Sequence, residues 1–204
     1  MKSVFRFMGR CWRRIFPARA QTTLHRFGLD IVNGCNLRCI GCPNSLRSEP
    51  MFHVKPEFFS ECLRNVDVDH VKTLRLFNFG EPLLHPDLPG ILARIPGQRW
   101  TLGNVELSTN AQRLDRNMLS EAIGMGILGA LVVSCDGDGT SAEYERLRPP
   151  AKWDRLMEFL RVAKELRDSK APALRLMTRT ICSDPEGQAR WRSILVPLGW
   201  MPEF

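Results

Sequence analysis

Apolar positions beyond residue 25 recur with two alternating periods. Short runs rich in Val, Ile, Leu and Phe indicate β-strands, and longer stretches with apolar residues three or four positions apart indicate amphipathic helices. The predicted strands span 26–32, 71–79, 104–110, 127–137 and 171–181. The predicted helices span 55–66, 86–95, 115–126, 151–169 and 185–199. Strand and helix therefore alternate five times, which predicts an α/β fold.

The predicted strands are expected to be parallel, because repeated βα units are joined by right-handed crossovers. The strand at 127–137 is nearly all apolar, which favours a strand that is covered on both faces. In α/β folds the functional groups lie where the carboxyl ends of the strands meet. Polar or glycine-rich sequences follow every predicted strand, and they read NGCNLRC, FGEP, STN, SCDGDG and CSDPEG. We therefore expect five loops to converge on one site.

The basic character of the chain is confined to its amino-terminal segment. The 204 residues carry a formal net charge of +7, with 29 basic and 22 acidic residues. Seven basic residues and no acidic ones lie within 1–29, so the remainder is balanced at 22 against 22. The overall charge is therefore no argument for nucleic-acid binding, and we expect no specific nucleic-acid partner. The length fits a single core domain, predicted to span 26–204.

Residues 1–25 form a basic arm in which Phe, Met, Trp and Ile are interleaved with arginines. This arm could lie as an amphipathic helix on an anionic membrane, dock on a partner, or cap the bottom of a barrel. The plainest alternative is a flexible or self-docked extension. Its apolar residues are interrupted too often for a signal peptide. No run of about 18 apolar residues occurs in the chain, so we predict no membrane-spanning helix.

Three of the seven cysteines lie close together with the spacing C-x3-C-x2-C. They are Cys35, Cys39 and Cys42, and they directly follow the first predicted strand. An odd number of cysteines with such a cluster is not typical of a disulfide scaffold. A thiolate-bound metal centre in a reducing cytoplasm fits better. The alternative is a structural zinc site, with His53 as the fourth ligand that zinc normally requires.

This spacing, followed in order by FNFGEPLLHPDL, LSTNA and VVSCDG, resembles the radical S-adenosylmethionine (radical SAM) enzymes. The resemblance covers roughly residues 26 to 199 and implies a partial TIM-type (β/α)5-6 barrel of parallel strands. It implies that Cys35, Cys39 and Cys42 hold three irons of a 4Fe-4S cluster, since cysteine thiolates bind such clusters. The fourth iron would bind S-adenosylmethionine (SAM), whose reductive cleavage gives a 5'-deoxyadenosyl radical that abstracts hydrogen from the substrate.

The resemblance also assigns residues to SAM binding. Its second motif corresponds to Gly80, Glu81 and Pro82, whose backbone and carboxylate meet the SAM amino group in the family. In relatives, polar residues at the ends of the third and fourth strands contact the ribose or carboxylate of SAM. The matching residues are Ser108, Asn110, Ser134 and Asp136. On the fifth strand, Arg179 could pair with the SAM carboxylate, a bidentate task that suits arginine.

Two features depart from the family pattern. Gly41 stands before the third cysteine, where the family usually has an aromatic residue that helps to seat adenine. The family core usually has six βα units, whereas this sequence ends at LGWMPEF, about where the sixth strand should begin. We therefore expect a minimal core, a core that another element closes, or a C-terminally truncated core.

The motif style is closest to the SPASM or twitch branch of the family, although the cysteine-rich C-terminal extension of that branch is not found here. Many members of that branch modify peptides or protein side chains, whereas the length resembles that of the compact 7-carboxy-7-deazaguanine synthases. The sequence therefore predicts a radical SAM enzyme with an unidentified substrate and an electron donor such as flavodoxin or ferredoxin. The alternative is a catalytically incomplete iron–sulfur or SAM-binding module that acts with a partner chain.

Overall fold

The computed structural model describes residues 22–204. Most of the predicted arm, 1–25, lies outside the described residues, and so do its predicted contacts. The described part begins with Thr23–Leu24, which joins the central sheet although the sequence places it in the arm. None of the helices within residues 22–204 is long and apolar enough to cross a membrane.

A parallel sheet forms the centre of the domain. The strands of the described chain are β1 (Thr23–Leu24), β2 (Phe27–Gly28), β3 (Val32–Asn33), β4 (Phe52–His53), β5 (His70–Arg75), β6 (Thr101–Thr109), β7 (Ala130–Ser134), β8 (Arg175–Arg179) and β9 (Met201–Glu203). Both β1 and β2 pair with β5, and the order then follows the chain from β5 to β9, with every pair parallel. Strands β3 and β4 form a separate antiparallel pair.

Helices alternate with the strands of the sheet as the sequence predicts, except that two consecutive helices, of which only the second is predicted, follow β7. They are α1 (Pro56–Arg64), α2 (Leu88–Leu92), α3 (Arg116–Gly124), α4 (Ser141–Leu147), α5 (Trp153–Lys170) and α6 (Pro185–Leu195). Local signals start several of them: the side chains of Asp115, Thr140 and Asp184 accept backbone N–H groups of α3, α4 and α6. This consecutive βα order confirms the predicted α/β fold, a partial barrel of parallel strands.

The first predicted strand, 26–32, is wrong in its extent. Only Phe27–Gly28 joins the main sheet, and Val32–Asn33 turns away to pair with Phe52–His53. At this break the side chain of Asp30 accepts hydrogen bonds from the loop after β5. At the other end, Met201–Glu203 pairs in parallel with β8, so a short sixth strand is present within the sequence.

One hydrophobic core lies along the sheet. Residues 130–133 of β7 are at most 1% exposed, as expected of a strand covered on both faces. Helix α5 contributes a fully buried stripe, which consists of Leu156, Phe159, Leu160 and Ala163. The indole N–H of Trp200 donates to the carbonyl oxygen of Leu160 at 3.1 Å. This bond fixes the segment before β9 against α5.

The carboxylate of Asp30 sets the path of the loop after β5. It accepts the backbone N–H groups of residues 78–80 at distances of 2.5 to 3.2 Å. Next to it, the N–H of Glu81 donates to the carbonyl oxygen of Gly34 at 2.9 Å. These contacts join the loop after β5 to the start of the cysteine loop, which spans 34–51 between β3 and β4.

Gly80 allows these two segments to approach each other. A Cβ atom at this position would lie 1.7 Å from the carbonyl oxygen of Val32. No side chain fits there, because the obstructing atom belongs to the backbone. The glycine of the GEP motif is therefore required by a close backbone approach.

We expect Gly80→Ala to lower the free energy of unfolding by about 2 kcal/mol or more, since the added methyl group has to displace backbone atoms. Gly28→Ala is the matched control, because a Cβ atom at Gly28 meets no atom within 4 Å. Its free energy of unfolding should change by no more than about 0.5 kcal/mol. Chemical unfolding followed by circular dichroism measures both, and equal losses would contradict the backbone argument.

Candidate cofactor site

The loops at the carboxyl edge of the sheet enclose an open cavity of about 340 Å³. This volume is within the range of small-molecule pockets. Ten of the residues that the sequence assigns to metal or SAM line the cavity, and they are Cys35, Cys39, Cys42, Gly80, Glu81, Ser108, Asn110, Ser134, Asp136 and Arg179. The remaining one, Pro82, is buried in a 3-10 turn that spans Pro82–Leu84. The structure thus brings together nearly all residues that the motifs select.

The cysteine loop is shaped by hydrogen bonds within itself. The N–H of Cys42 and the hydroxyl of Ser45 both donate to the carbonyl oxygen of Cys39, at 3.2 and 2.7 Å. A 3-10 turn at Pro43–Leu46 follows the third cysteine. Gly41 has a φ of +79°, in the left-handed region that favours glycine, and a Cβ atom there would meet no atom within 4 Å. The backbone therefore explains this glycine.

The segment 147–149, between α4 and α5, holds the cysteine loop from outside. The N–H of Arg38 donates to the carbonyl oxygen of Pro149 at 2.6 Å, and the N–H of Ile40 donates to that of Leu147 at 2.9 Å. These two bonds flank Cys39 on the loop and Arg148 on the segment. The central cysteine is therefore fixed by a part of the chain more than a hundred residues away.

The thiols of the loop are half-buried and free. Burial raises the pKa of the Cys35 and Cys39 thiols above their usual value, and for Cys39 the guanidinium of Arg148 acts in the opposite direction. A ligand that carries positive charge would offset this cost, because metal ions bind thiolates directly. The site thus favours thiolates once a metal group is present.

The residues present fit a 4Fe-4S cluster. Cysteine thiolates are the donors that hold iron–sulfur clusters, and three cysteines line this one cavity. A cubane spaces its ligands farther apart than a single ion does. Within residues 22–204, no three His, Cys, Asp or Glu side chains are arranged to hold one metal ion. His53 does not line the cavity. The cavity thus does not include the fourth ligand that the zinc alternative names.

Glu81 is the buried carboxylate of the site. Its Oε1 accepts the hydroxyl of Thr109 at 2.7 Å and the N–H of Leu83 at 3.1 Å, and its Oε2 accepts the N–H of Asn110 at 2.7 Å. Burial raises the pKa of the Glu81 carboxyl above its usual value, although these hydrogen bonds act in the opposite direction. Glu81 thereby ties the loop after β5 to the end of β6.

The polar residues at the ends of β6 and β7 differ in what they contact. Ser108 and Ser134 are half-buried, and within residues 22–204 neither hydroxyl has a hydrogen-bond partner. Asn110 is buried and directs its amide to the cysteine loop, where it donates to Cys35 Sγ at 3.4 Å and Asn36 Oδ1 at 2.8 Å. The serines therefore present free hydroxyls, whereas the amide is already engaged.

Asp136 pairs with Arg148, a residue that none of the sequence motifs selects. The Oδ2 of Asp136 accepts from the Arg148 guanidinium, and its Oδ1 accepts the N–H of Ile181 at 3.1 Å. Arg148 lines the cavity, is 6% exposed, and has a buried Nε without a partner in the described chain. In the sequence Arg148 is only one basic residue after a helical segment, and nothing in that pattern distinguishes it from other arginines.

Arg179 lies at the rim of the cavity between two carboxylates. Its guanidinium contacts Glu106 at 3.5 Å and Glu203 at 3.2 Å. Glu106 also pairs with Arg75, at 3.4 Å. Arg179 therefore links β8 to its neighbour β9 and, across β7, to β6. Its predicted contact with the SAM carboxylate stays a prediction.

Comparison with known proteins identifies a family whose sequence profile this chain matches. The profile described as the Radical SAM superfamily matches residues 29–171. A search of curated proteins gives no match.

Several solved structures share the fold. A histidine-tagged anSMEcpe with bound AdoMet has a TM-score of 0.58 and 15% identity, over 89% of this chain and 51% of that one. Native anSMEcpe with bound AdoMet and Cp18Cys peptide has a TM-score of 0.56 and 16% identity, with the same coverage of 89% and 51%. BtrN in complex with AdoMet and 2-DOIA has a TM-score of 0.50 and 16% identity, over 78% and 58%. This chain thus spans about half the length of these proteins, and at such identities the likeness concerns the fold.

The profile match covers well over half of the chain and takes in the cysteine loop, the GEP segment and the ends of β6 and β7. The chain therefore belongs to the radical SAM superfamily, whose cofactors are a 4Fe-4S cluster and SAM.

Proposed function

We propose that this chain is a radical SAM enzyme, with SAM in the cavity and a 4Fe-4S cluster on Cys35, Cys39 and Cys42. The observation that carries the proposal is the donor set: three free thiols line the cavity, and no fourth cysteine is among its lining residues in the described chain. When bound, the cluster supplies one electron that breaks a carbon–sulfur bond of SAM, giving methionine and a 5'-deoxyadenosyl radical that abstracts a hydrogen atom from the substrate.

The chain's own groups would hold and orient SAM. Glu81 Oε2 accepts one hydrogen bond in the structure, so it retains capacity for a donor such as the SAM ammonium group. The hydroxyls of Ser108 and Ser134 face the same cavity and suit the ribose. Aromatic side chains of the cavity, Phe77 and Phe79, are available to the adenine in place of a residue at Gly41.

Arg148 is the better placed cation for the SAM carboxylate. Its Nε is buried, has no partner in the described chain, and belongs to a side chain that lines the cavity. Arg179, the residue selected by sequence, already contacts two carboxylates, and its side chain is 42% exposed. An unsatisfied buried donor is costly, and a carboxylate ligand would satisfy it.

The substrate would enter over an apolar rim. Ile40, Phe79 and Ile181 line the cavity and are 63%, 50% and 82% exposed. Among the structurally similar proteins, anSMEcpe is bound to AdoMet and Cp18Cys peptide, and BtrN to AdoMet and 2-DOIA. For this chain we propose a peptide or protein side chain, or a small molecule, that brings apolar groups to the rim.

The electron would come from a donor protein such as flavodoxin or ferredoxin, since no other redox group is implied for the chain. A reducing compartment, such as the cytoplasm, is the setting that we propose. It would keep the thiols reduced, and the six cysteines of the described chain are all free.

Anaerobic reconstitution with iron and sulfide tests the central proposal. We expect the reconstituted protein to form 5'-deoxyadenosine from SAM and dithionite, and Cys39→Ala to lose at least a hundredfold of this activity because a cluster ligand is gone. Cys62→Ala is the matched control, because Cys62 lies on α1 and does not line the cavity. Product is measured by liquid chromatography.

A preparation that binds zinc but never a cluster would rule the proposal out. A cluster that forms without any cleavage of SAM would favour the alternative, a catalytically incomplete module that acts with a partner chain.

Two matched variants test which of the two arginines binds the SAM carboxylate. Arg148→Lys keeps a cation beside Asp136 but removes the Nε–H donor, and we expect the Kd for SAM to rise about tenfold, since a hydrogen bond to a charged group is worth about 1.5–3 kcal/mol. Arg179→Lys makes the same exchange and should change the Kd less than about threefold. Calorimetric titration of SAM into reconstituted protein measures both. A larger increase in Kd for Arg179→Lys than for Arg148→Lys would show that Arg179 binds the SAM carboxylate.

For the amino-terminal arm we propose contact with an anionic membrane surface or a partner, on its sequence alone. Full-length protein should co-sediment with vesicles that contain an anionic phospholipid, and it should do so less at high salt because the attraction is electrostatic. Protein that lacks residues 1–20 should stay in the supernatant. Equal sedimentation of the two proteins would exclude the membrane and leave the partner.

A further inference from the structure

The orientation of the Asn110 amide is fixed by its neighbours. Its Oδ1 accepts the backbone N–H of Gln112 at 2.9 Å, so its Nδ2 has to point in the opposite direction, toward the cysteine loop. Each of the two Nδ2 hydrogens then has an acceptor, Asn36 Oδ1 at 2.8 Å and Cys35 Sγ at 3.4 Å. Asn110 is thus a donor to one of the three cluster thiols.

The backbone holds this donor in place. The N–H of Asn110 donates to Glu81 Oε2 at 2.7 Å, and the preceding Thr109 hydroxyl donates to Glu81 Oε1 at the same distance. Asn110 is 5% exposed, so its amide is largely shielded from water. The direction of the amide is therefore set before any cofactor binds.

The sulfur of Cys35 receives more hydrogen bonds than those of the other two cysteines in the described chain. Besides Asn110, the backbone N–H of Leu37 donates to it at 3.4 Å. No hydrogen bond to the sulfur of Cys39 or Cys42 is formed within residues 22–204. The environment of the three ligands is thus asymmetric, and Asn110 is the side chain that makes it so.

We propose that Asn110 is a positioning residue that raises the reduction potential of the cluster through its hydrogen bond to the Cys35 thiolate. The step concerned is the uptake of one electron from an external reductant by the oxidised cluster. The added negative charge is shared with the ligand sulfurs, so a donor stabilises the reduced form more than the oxidised form. This inference rests on the proposed function, and it replaces the predicted contact between the Asn110 amide hydrogens and SAM.

Potentials of three variants test the inference. Asn110→Asp keeps an oxygen for the N–H of Gln112 but loses the donor, and Asn110→Ala removes the whole amide. Asn36→Ala is the matched control, because it removes the other acceptor of Nδ2 and leaves the donor beside Cys35. Reconstituted proteins are titrated with dithionite in the presence of redox dyes, and the reduced cluster is followed by electron paramagnetic resonance.

We expect the reduction equilibrium constant to fall about tenfold in Asn110→Ala, which corresponds to a potential lower by about 59 mV for one electron. The fall should be larger in Asn110→Asp, which adds negative charge, and within about threefold of wild type in Asn36→Ala. Iron and sulfide contents and the melting temperature establish that each variant is folded and loaded. If Asn110→Ala does not assemble a cluster, the potential of Asn110→Asp tests the inference instead.

Unchanged potentials in loaded Asn110 variants would overturn the inference and leave the proposed function intact. The same holds for weaker SAM binding without a change in potential, which would restore the contact with SAM. A shift in Asn36→Ala as large as that in Asn110→Ala would show that the loop moves as a whole, and would also overturn it. A wild-type chain that never assembles a cluster would overturn the proposed function as well.

Discussion

The site depends on carboxylates that hold the loop after β5 from two sides. Asp30 accepts the N–H groups of residues 78–80 on one side, and buried Glu81 accepts groups from the end of β6 on the other. A carboxylate out of contact with water is costly unless it is well hydrogen-bonded, so Glu81 is stable only with its partners in place. The segments that follow β2, β5 and β6 are therefore joined by hydrogen bonds, and the cysteine loop is attached to them.

Much of this arrangement could be predicted from the order of the motifs. Parallel βα units repeat along the chain, and a motif at a strand end has to lie at the common edge of the sheet. That constraint alone brings Cys35, Gly80 and Asn110 together. It also places Ser134 and Arg179, which the structure finds on the same cavity.

The rest could not be predicted because it depends on contacts between distant segments. Asp30 looks like a residue inside a strand, and its partners lie about fifty residues away. Arg148 follows a seven-residue helix, and only the packing of that connection turns its side chain into the cavity. Strand β9 has three residues, one of them a proline, which is too short to show a period. The spacing of motifs in the sequence thus predicts which residues lie at the strand ends. The charged residues that pair across distant segments are found only from the folded structure.

The hydrogen bonds between the cysteine loop and the segment 147–149 have a consequence for the stage at which the cluster can be loaded. Arg38 and Ile40 find their carbonyl partners only after β5, β6, β7 and α4 have been made and have folded. Contacts of such large sequence separation form late, because closing a long stretch of chain is entropically costly. A nascent chain that has exposed only its first fifty residues would present three flexible thiols with no defined shape. Iron loading of this protein would therefore follow folding of most of the sheet, and would not accompany synthesis of the loop itself.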